Sequence, residues 1–255
     1  MPGCLVIVPL NLFLLEEAVD EIEWPAQDER AVHLNKVLKA KDGEKLDFGV
    51  INGPRGKGLI EWINCGAVKI SFEWNAPHLS DLLPISLLVG LSRPQTCRKV
   101  IEQAASLGVA EIIFFHTDKG ESSYGESSLW HNEWQRLLIK GTEQAFSCHP
   151  PRCIKVDGLE QARAASRIVP KVALALDIYE AAECISTFKQ KENEPAHLAI
   201  GPERGWSHQE RDCLRVNGFS LCHMGQRVLR VETAVVAAVG AISPAYWAGK
   251  GWSGR

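Results

Sequence analysis

Hydrophobic and polar positions divide the chain into two kinds of pattern. Up to about residue 72, short apolar runs at residues 5–8, 46–51, 58–63 and 67–72 are separated by Gly, Asn and Asp. This spacing predicts a small β-barrel, interrupted by one helix at residues 29–39.

From residue 85 onwards, apolar runs alternate with segments of helical periodicity. Strands are predicted at residues 85–91, 111–115, 154–156, 172–176 and 197–200, and helices at residues 96–107, 128–141 (continuing towards 146), 159–168 and 181–189. Strands that alternate with helices predict an α/β fold with a parallel sheet covered on both faces. Two prolines and little pattern occupy residues 75–84, so we predict a β-barrel at 1–74, a linker at 75–84 and an α/β domain at 85–255.

Composition narrows the classes of function. The 255 residues carry a net charge of −3, and the eight cysteines include no C-x-x-C pair of the kind that binds zinc. An apolar run at residues 5–15 lacks the basic leader and cleavage site of a signal peptide, and no run is long enough to span a membrane. We therefore expect a cytoplasmic protein without a metal centre or a membrane partner.

Basic residues concentrate in the first domain. Arg30, Lys36 and Lys39 belong to a basic stretch at residues 30–57, which follows an acidic stretch at residues 16–29. Such a face can contact phosphates, and a merely solvated surface is the alternative.

A glycine loop follows the predicted strand at residues 197–200. Gly201 and Gly205 bracket it, and Ser207 stands three residues before Glu210, the spacing of a helix capping box. A strand, glycine loop and helix in this order form a usual ligand position in α/β sheets. The loop matches neither G-x-G-x-x-G nor the Walker pattern, so nucleotides held through their phosphates are not expected.

A second loop has similar chemistry. Gly225 is followed by Arg227 and Arg230, and then by Glu232 and Thr233 at the start of an apolar helix at 234–242. Two arginines near the positive end of a helix suggest an anionic partner. Pairing of Arg230 with Glu203 or Glu232 inside the fold is the alternative. No nucleophile system or metal-ligand spacing is present among the serines and histidines.

Together, GPERGWS with Glu210 and the later GQRVLRVETA resemble the signature of the 16S ribosomal RNA uracil-N3 methyltransferases, the RsmE group of the SPOUT superfamily. Further matching segments are HLNKVLKAKDGEKL (33–46), INGP (51–54), LSRPQTCRKVIEQAASLGVAEIIFF (91–115), Glu143-Gln144 and Pro151. The resemblance covers most of the chain. Arg204 stands where this family usually has glycine.

The resemblance implies a PUA-like barrel, followed by a SPOUT methyltransferase domain with a carboxyl-terminal trefoil knot. It also implies a homodimer that binds S-adenosylmethionine in the knot and acts on small-subunit ribosomal RNA or on the assembled small subunit. The cofactor-binding residues that it implies are Leu176, Ile200, Gly201, Pro202, Glu203, Gly205, Leu221, Gly225, Val228, Leu229, Arg230 and Thr233.

The expected chemistry follows from uridine. Methylation at N3 needs the imide proton removed and the developing oxygen charge stabilised. Arg230 is the predicted cation, and Glu203 or Glu232 either assists deprotonation or only fixes loop geometry. The residues predicted to contact RNA are Arg30, Lys36, Lys39, Arg93, Lys119 and Arg204. A SPOUT methyltransferase with another RNA target, or an RNA-binding module without catalysis, remains the alternative.

Overall fold

The computed structural model describes residues 12–63, 66–77, 79–188 and 194–247. The chain divides into two compact units, Met1–Asp81 with Thr142–His149, and Leu82–Gly141 with Pro150–Arg255. Residues 142–149, which the alternating pattern assigns to the α/β domain, thus group with the first unit. The predicted strand at residues 5–8 lies outside the described residues.

The first unit is a five-stranded mixed sheet with one short helix. Its elements are β1 (Leu12–Leu15), β2 (Glu21–Trp24), α1 (Glu29–His33), β3 (Lys45–Val50), β4 (Arg55–Trp62) and β5 (Val68–Trp74). The strand order is β1-β3-β4-β5-β2, with β1 parallel to β3 and the other pairs antiparallel. Aromatic side chains including Trp24 and Phe48 fill its core.

The helix predicted at residues 29–39 is present, as α1 continued by a π-helical segment at Leu34–Leu38. The strand β2 was not predicted. Its sequence Glu-Ile-Glu-Trp buries only Trp24 fully, so it carries little apolar signal.

The second unit contains a seven-stranded parallel sheet. Its strands are β6 (Leu83–Gly90), β7 (Val109–Phe115), β8 (Arg152–Val156), β9 (Val172–Leu176), β10 (Glu183–Cys184), β11 (Ala196–Ile200) and β12 (Ser220–His223). Its helices are α2 (Pro94–Leu107), α3 (Glu133–Gln144, which runs on into the segment 142–149), α4 (Leu159–Ala165), α5 (His208–Val216), α6 (Val231–Ile242) and α7 (Pro244–Trp247). The strand order is β10-β12-β9-β11-β6-β7-β8, and every pair is parallel. The predicted α/β fold class is confirmed.

Helices cover the sheet on both faces, as predicted. Apolar side chains of α2 and α6 pack in one cluster with Ile85 and Leu198, whereas α4 and α5 contribute to a second cluster with Leu88 and Ala199. Neighbouring strand residues therefore point to opposite faces, and both faces are buried. This arrangement leaves the strand ends, and the loops that follow them, as the surfaces available for ligands.

Three elements of the structure differ from the prediction. The helix predicted at residues 181–189 is wrong, because residues 183–184 form β10 and Ile185–Thr187 form a 3-10 turn. The helix predicted from residue 128 begins at Glu133, after two short 3-10 turns. The strand β12 (Ser220–His223), just before the second loop, is not among the predicted strands.

The strand β12 lies between β10 and β9, so a late strand is inserted between two earlier ones. A knotted path would place a strand in this way, and the knot itself stays an expectation. None of the helices formed by the described residues is long and apolar enough to cross a membrane.

Candidate active site

An open cleft lies in the second unit at the carboxyl ends of β9, β11 and β12. It encloses about 750 Å³ including its solvent mouth, within the size range of small-molecule sites. We call it the apolar cleft. Its lining comes from three loops and the start of α6: Leu176, Asp177, Ile178, Tyr179, Ile200, Gly201, Pro202, Glu203, Gly205, Trp206, Cys222, His223, Met224, Gly225, Arg227, Val228, Leu229, Val231 and Ala234.

Most residues predicted to bind the cofactor lie in this lining. Those outside it are Leu221, Arg230 and Thr233. Leu221 points to the other face of the sheet, where it packs with the cluster of α4 and α5, and its neighbour Cys222 faces the cleft. Because side chains alternate along a strand, a contact between Leu221 and the cofactor would have to come from its backbone, and that contact stays a prediction.

The glycine loop is a tight turn held against β9. The N–H of Gly205 donates to the carbonyl of Pro202 at 2.8 Å, and Gly205 has φ +66°, a conformation that favours glycine. A Cβ on Gly201 would lie 3.2 Å from the Trp206 ring. Trp206 is fully buried, and its Nε1 donates to the carbonyl of Leu176 at 2.8 Å. The indole therefore fixes the distance between the loop and the neighbouring strand.

The predicted capping box starts α5. Ser207 Oγ accepts from the Glu210 N–H at 3.0 Å, and Glu210 Oε2 accepts from the Ser207 N–H at 2.7 Å. The second oxygen of Glu210 accepts from the Asp118 N–H at 3.0 Å, and Lys119 Nζ donates to the Trp206 carbonyl at 2.7 Å. The loop after β7 is thus bonded to the glycine loop, and the Lys119 ammonium contacts protein rather than standing free.

A second cleft adjoins the apolar one. It encloses about 1010 Å³ including open solvent, and we call it the cationic cleft. Arg93, Lys99 and Arg230 supply three positive charges, against the two carboxylates Glu203 and Glu232. The two clefts share Glu203, Val228, Leu229 and Val231.

Neither carboxylate forms an ion pair with Arg230. Glu203 Oε1 accepts from the Arg93 N–H at 3.1 Å and from Thr96 Oγ1 at 3.4 Å, so it joins the glycine loop to the start of α2. Glu232 pairs with Lys99 Nζ at 3.1 Å. Within the part of the chain that the structure describes, Arg230 has no ion-pair partner, which leaves its exposed guanidinium available to a ligand.

The pKa of Glu232 is lowered. Burial opposes the charge, but the N–H of Glu232 itself, the Lys99 ammonium and the Arg230 charge together outweigh it. Glu232 therefore remains a carboxylate at neutral pH and is a weak proton acceptor.

Comparison with known proteins decides the family. Residues 80–243 match the family model described as "RNA methyltransferase domain". The "Ribosomal RNA small subunit methyltransferase E" of Treponema pallidum is 30% identical over 217 residues, which cover 83% of this chain and 81% of that relative. The chain belongs to the ribosomal RNA small subunit methyltransferase E family.

A second relative of this family, from Borreliella burgdorferi, is 29% identical over 90% of this chain and 95% of its own length. Among solved structures, a Neisseria gonorrhoeae ribosomal RNA small subunit methyltransferase E bound to S-adenosyl methionine matches with a TM-score of 0.72 and 20% identity, over 93% of this chain and 98% of that one. A probable rRNA-methyltransferase from Porphyromonas gingivalis matches with a TM-score of 0.75 and 18% identity, over 94% and 100% of the two chains. These structures share the fold, and the resemblance seen in the sequence motifs is confirmed.

In this methyltransferase E chain, the residues predicted to contact RNA lie in both units. In the second unit, Arg93 lines the cationic cleft, and Arg204 pairs with Glu121 at 3.3 Å. In the first unit, Arg30 pairs with Asp28 at 2.7 Å and stacks on the Trp24 ring. The other two residues of the first unit that are predicted to contact RNA, Lys36 and Lys39, are exposed and form no ion pair with any described residue.

Several lining residues escaped the sequence analysis. Lys99 is one turn of α2 after Gln95, and both side chains line the cationic cleft. Asp177 and Tyr179 follow β9 directly after Leu176, which the resemblance implied as a cofactor-binding residue. The burial of Trp206 was also predictable from the sequence, since a large aromatic residue directly after a glycine loop has only the sheet to pack against.

Proposed function

We propose that this chain transfers a methyl group from S-adenosylmethionine to N3 of a uridine in small-subunit ribosomal RNA. The observation that carries the proposal is the pair of adjoining clefts with a shared wall. One cleft offers apolar side chains and backbone to an adenosine, with a few charged side chains at its edges, and the other has an excess of positive charge for an anionic nucleotide. Methyl transfer requires two such ligands to meet across a short distance.

The residues of the apolar cleft fit S-adenosylmethionine. Leu176, Ile200 and Leu229 offer apolar surface to an adenosine, and the glycines at 201, 205 and 225 let the backbone approach it. Among described residues, no cluster of metal-ligating side chains suggests a metal-dependent alternative. When bound, S-adenosylmethionine supplies an electrophilic methyl group on a positive sulfonium.

The cationic cleft supplies positive charge, which methylation of uridine at N3 requires. The reaction replaces the N3–H bond of uridine by an N3–CH3 bond; the methyl group is released from the sulfonium, S-adenosylhomocysteine and a proton are the other products, and negative charge develops on the uracil oxygens as the proton leaves. We propose that Arg230 stabilises this charge, because its exposed guanidinium has no ion-pair partner among the described residues and Arg230 lines the cationic cleft between Leu229 and Val231, which line both clefts. Arg93 lies on the same cleft and is suited to the target phosphate.

Of the two predicted bases, Glu203 is the better candidate. It lines both clefts, and only its Oε1 is bonded to other described residues, which leaves Oε2 free to accept a proton. Glu232 is held by Lys99 and has a lowered pKa, so we assign it to fixing the start of α6.

The test is methylation of small subunits that lack the modification. Purified protein with S-adenosylmethionine should produce 3-methyluridine, detected by mass spectrometry of digested RNA, and mapping the modified nucleotide identifies the target. No methyl incorporation into any small-subunit substrate would refute the proposal. Incorporation into a different RNA would keep the enzyme class and replace the target.

Variants of the cationic cleft sharpen this test. Arg230→Ala should lower kcat about 100-fold or more, as loss of one charge-stabilising group typically does, while the calorimetric Kd for S-adenosylmethionine stays unchanged. Arg163→Ala, an exposed arginine on α4, is the matched control and should retain wild-type turnover. Equal turnover in Arg230→Ala and wild type would remove Arg230 from the mechanism.

We further propose that the enzyme acts as a homodimer in the cytoplasm, where its ribosomal substrate is found. Large apolar side chains are exposed on the second unit, with Val228 80%, Trp247 54% and Val236 37% accessible. Contiguous exposed apolar patches are typical of association sites, and these side chains are the candidates for such a patch on the second unit. Light scattering after size-exclusion chromatography tests the dimer, and a monomeric mass at micromolar concentration would contradict it.

A further inference from the structure

The loop after β9 is organised by one buried carboxylate. Asp177 Oδ1 accepts from the N–H groups of Tyr179 and Glu180, at 2.7 and 2.6 Å. The Asp177 N–H donates to the Cys222 carbonyl at 2.9 Å, and its side chain is only 1% exposed. The carboxylate therefore fixes the backbone of a loop that forms one wall of the apolar cleft.

The charge of this carboxylate is matched by Arg211 on α5. Arg211 Nε donates to Asp177 Oδ2 at 2.7 Å, and the Arg211 side chain is 8% exposed. Its Nη1 lies 3.5 Å from Glu180 Oε1. A buried pair of this kind contributes little net stability compared with apolar residues, but loss of one partner leaves an uncompensated charge. Its role is better sought in the geometry that it imposes.

That geometry places an aromatic ring at the mouth of the cleft. The Arg211 guanidinium carbon lies 5.4 Å from the centre of the Tyr179 ring, a cation–π contact. Tyr179 Cε2 lies 3.6 Å from the position that a Cβ on Gly205 would take, so the ring reaches across to the glycine loop. The ring nevertheless remains 74% exposed, although it lines the cleft. An exposed aromatic that is fixed from beneath has a free face for a ligand.

We propose that Asp177 and Arg211 are positioning residues that hold Tyr179 as an aromatic lip, and that the face of its ring packs against bound S-adenosylmethionine. This inference rests on the proposed function and deepens it, since it assigns cofactor affinity to three residues outside the glycine motifs. In this proposal the face of the Tyr179 ring contacts the cofactor, and the Tyr179 hydroxyl is not required for cofactor binding. The pair itself is electrically neutral, so it orders the lip without adding net charge to the cleft.

The first arm of the test alters the ring alone. Tyr179→Ala should raise the calorimetric Kd for S-adenosylmethionine and S-adenosylhomocysteine about threefold to tenfold, the range expected for one aromatic contact. Tyr179→Phe should bind both ligands as the wild type does. Unchanged binding by Tyr179→Ala, or equal weakening by Tyr179→Phe, would overturn the proposal. Tyr179 is itself exposed, and although Tyr179→Ala removes the cation–π contact with Arg211, the ion pair between Arg211 and Asp177 remains in both variants.

The second arm asks whether Asp177 acts through the ring. Asp177→Asn should raise the KM for S-adenosylmethionine by a factor similar to that of Tyr179→Ala, with kcat at saturating cofactor within about twofold of wild type. The double variant Asp177→Asn with Tyr179→Ala should bind no more weakly than Tyr179→Ala alone, because the ring is already absent. Additive losses in the double variant would show that Asp177 does not work by holding the lip.

Asp212→Asn is the matched control. Asp212 is an exposed acid on α5 that pairs with Arg215 at 3.1 Å, and its loss should leave Kd and KM unchanged. If Asp177→Asn fails to fold, Arg211→Lys takes its place in the second arm, because it keeps a charge opposite Asp177 and loses the planar guanidinium beside the ring; the Tyr179 arm decides the ring contact in either case. If the wild-type protein binds no S-adenosylmethionine, the proposed function is refuted. If the wild type binds it no better than Tyr179→Ala does, only the proposed contact between the Tyr179 ring and the cofactor is refuted.

Discussion

A single methyl group at Gly90 should disturb the proposed cofactor site from beneath. Gly90 ends β6, directly under the glycine loop. A Cβ at this position would lie 2.8 Å from Pro202 Cδ, 2.8 Å from Thr117 Cγ2 and 3.0 Å from Pro202 N. Carbon atoms prefer separations of about 3.5–4.0 Å, so Gly90→Ala must displace its neighbours by roughly 0.7 Å or more. Pro202 is a ring fused to the backbone and has no flexible end that can move aside.

The displacement has two measurable consequences. Overpacking of this kind costs about 1–3 kcal/mol, which corresponds to a fall in Tm of roughly 2–10 °C for a chain of this size. Because Pro202 lines the apolar cleft, its movement should also weaken S-adenosylmethionine binding, by about tenfold for each 1.4 kcal/mol lost in the complex. Thermal denaturation and isothermal titration calorimetry measure the two effects separately.

A second glycine provides the control. A Cβ on Gly158 would meet only Gln161 Oε1 at 2.9 Å, which is the free end of a flexible side chain, and Gly158 has an extended φ of −160°. Gly158→Ala should therefore leave the Kd for S-adenosylmethionine unchanged. If Gly90→Ala binds the cofactor as the wild type does and melts at the same temperature, the proposed support of the glycine loop by β6 is wrong.

Two further predictions concern buried titratable groups. Burial lowers the pKa of His197, which is 2% exposed, so the unfolded chain binds a proton more readily than the folded protein does. The contribution of neutral His197 to the free energy of unfolding is therefore present above about pH 6.5 and is lost as the pH falls below it. Urea unfolding should show a slope of up to about 1.4 kcal/mol per pH unit in that range, which His197→Gln reduces and exposed His131→Gln leaves in place. A hydrogen bond from Ser186 lowers the pKa of Cys184, whereas burial raises that of Cys97 to about 12. Mass spectrometry after brief iodoacetamide treatment should therefore find Cys184 alkylated well before Cys97, and the reverse order would contradict this reasoning.

Features of the site that depend on neighbouring residues were predictable from the sequence. The strand at residues 197–200, the glycine turn and the capping box of Ser207 and Glu210 follow from side chains at most a few positions apart, and all are present. Local chemistry determines them, because a capping side chain bonds to backbone groups within one turn of helix.

Features that depend on distant residues were not predictable in the same way. Asp177 and Arg211 are 34 positions apart in sequence, and only the fold shows that they pair. The segment at residues 181–189 has apolar residues at positions 181, 185 and 188, the spacing of one helix face. Residues 183–184 nevertheless pair with β12, so a tertiary contact overrides the local preference. Likewise, Glu143 Oε1 accepts from the Leu14 N–H at 2.9 Å across 129 positions, a contact that places the segment 142–149 with the first unit.

The charges in the cationic cleft also bear on the proposed mechanism, in which Arg230 stabilises the uridine anion and Glu203 removes the proton. Of its two carboxylates, Glu232 is held by Lys99, and Glu203 keeps one oxygen on the start of α2. Arg230, by contrast, has no ion-pair partner among the residues that the structure describes. The cleft thus holds an uncommitted cation and at most one uncommitted carboxylate oxygen. In the proposed mechanism, stabilising the uridine anion is then the larger contribution of the protein, since a fixed charge acts without reorganisation whereas proton removal by a carboxylate adds a smaller factor. On this reasoning Glu203→Gln should slow turnover less than Arg230→Ala does, and the opposite order in single-turnover rates would make Glu203 the dominant group.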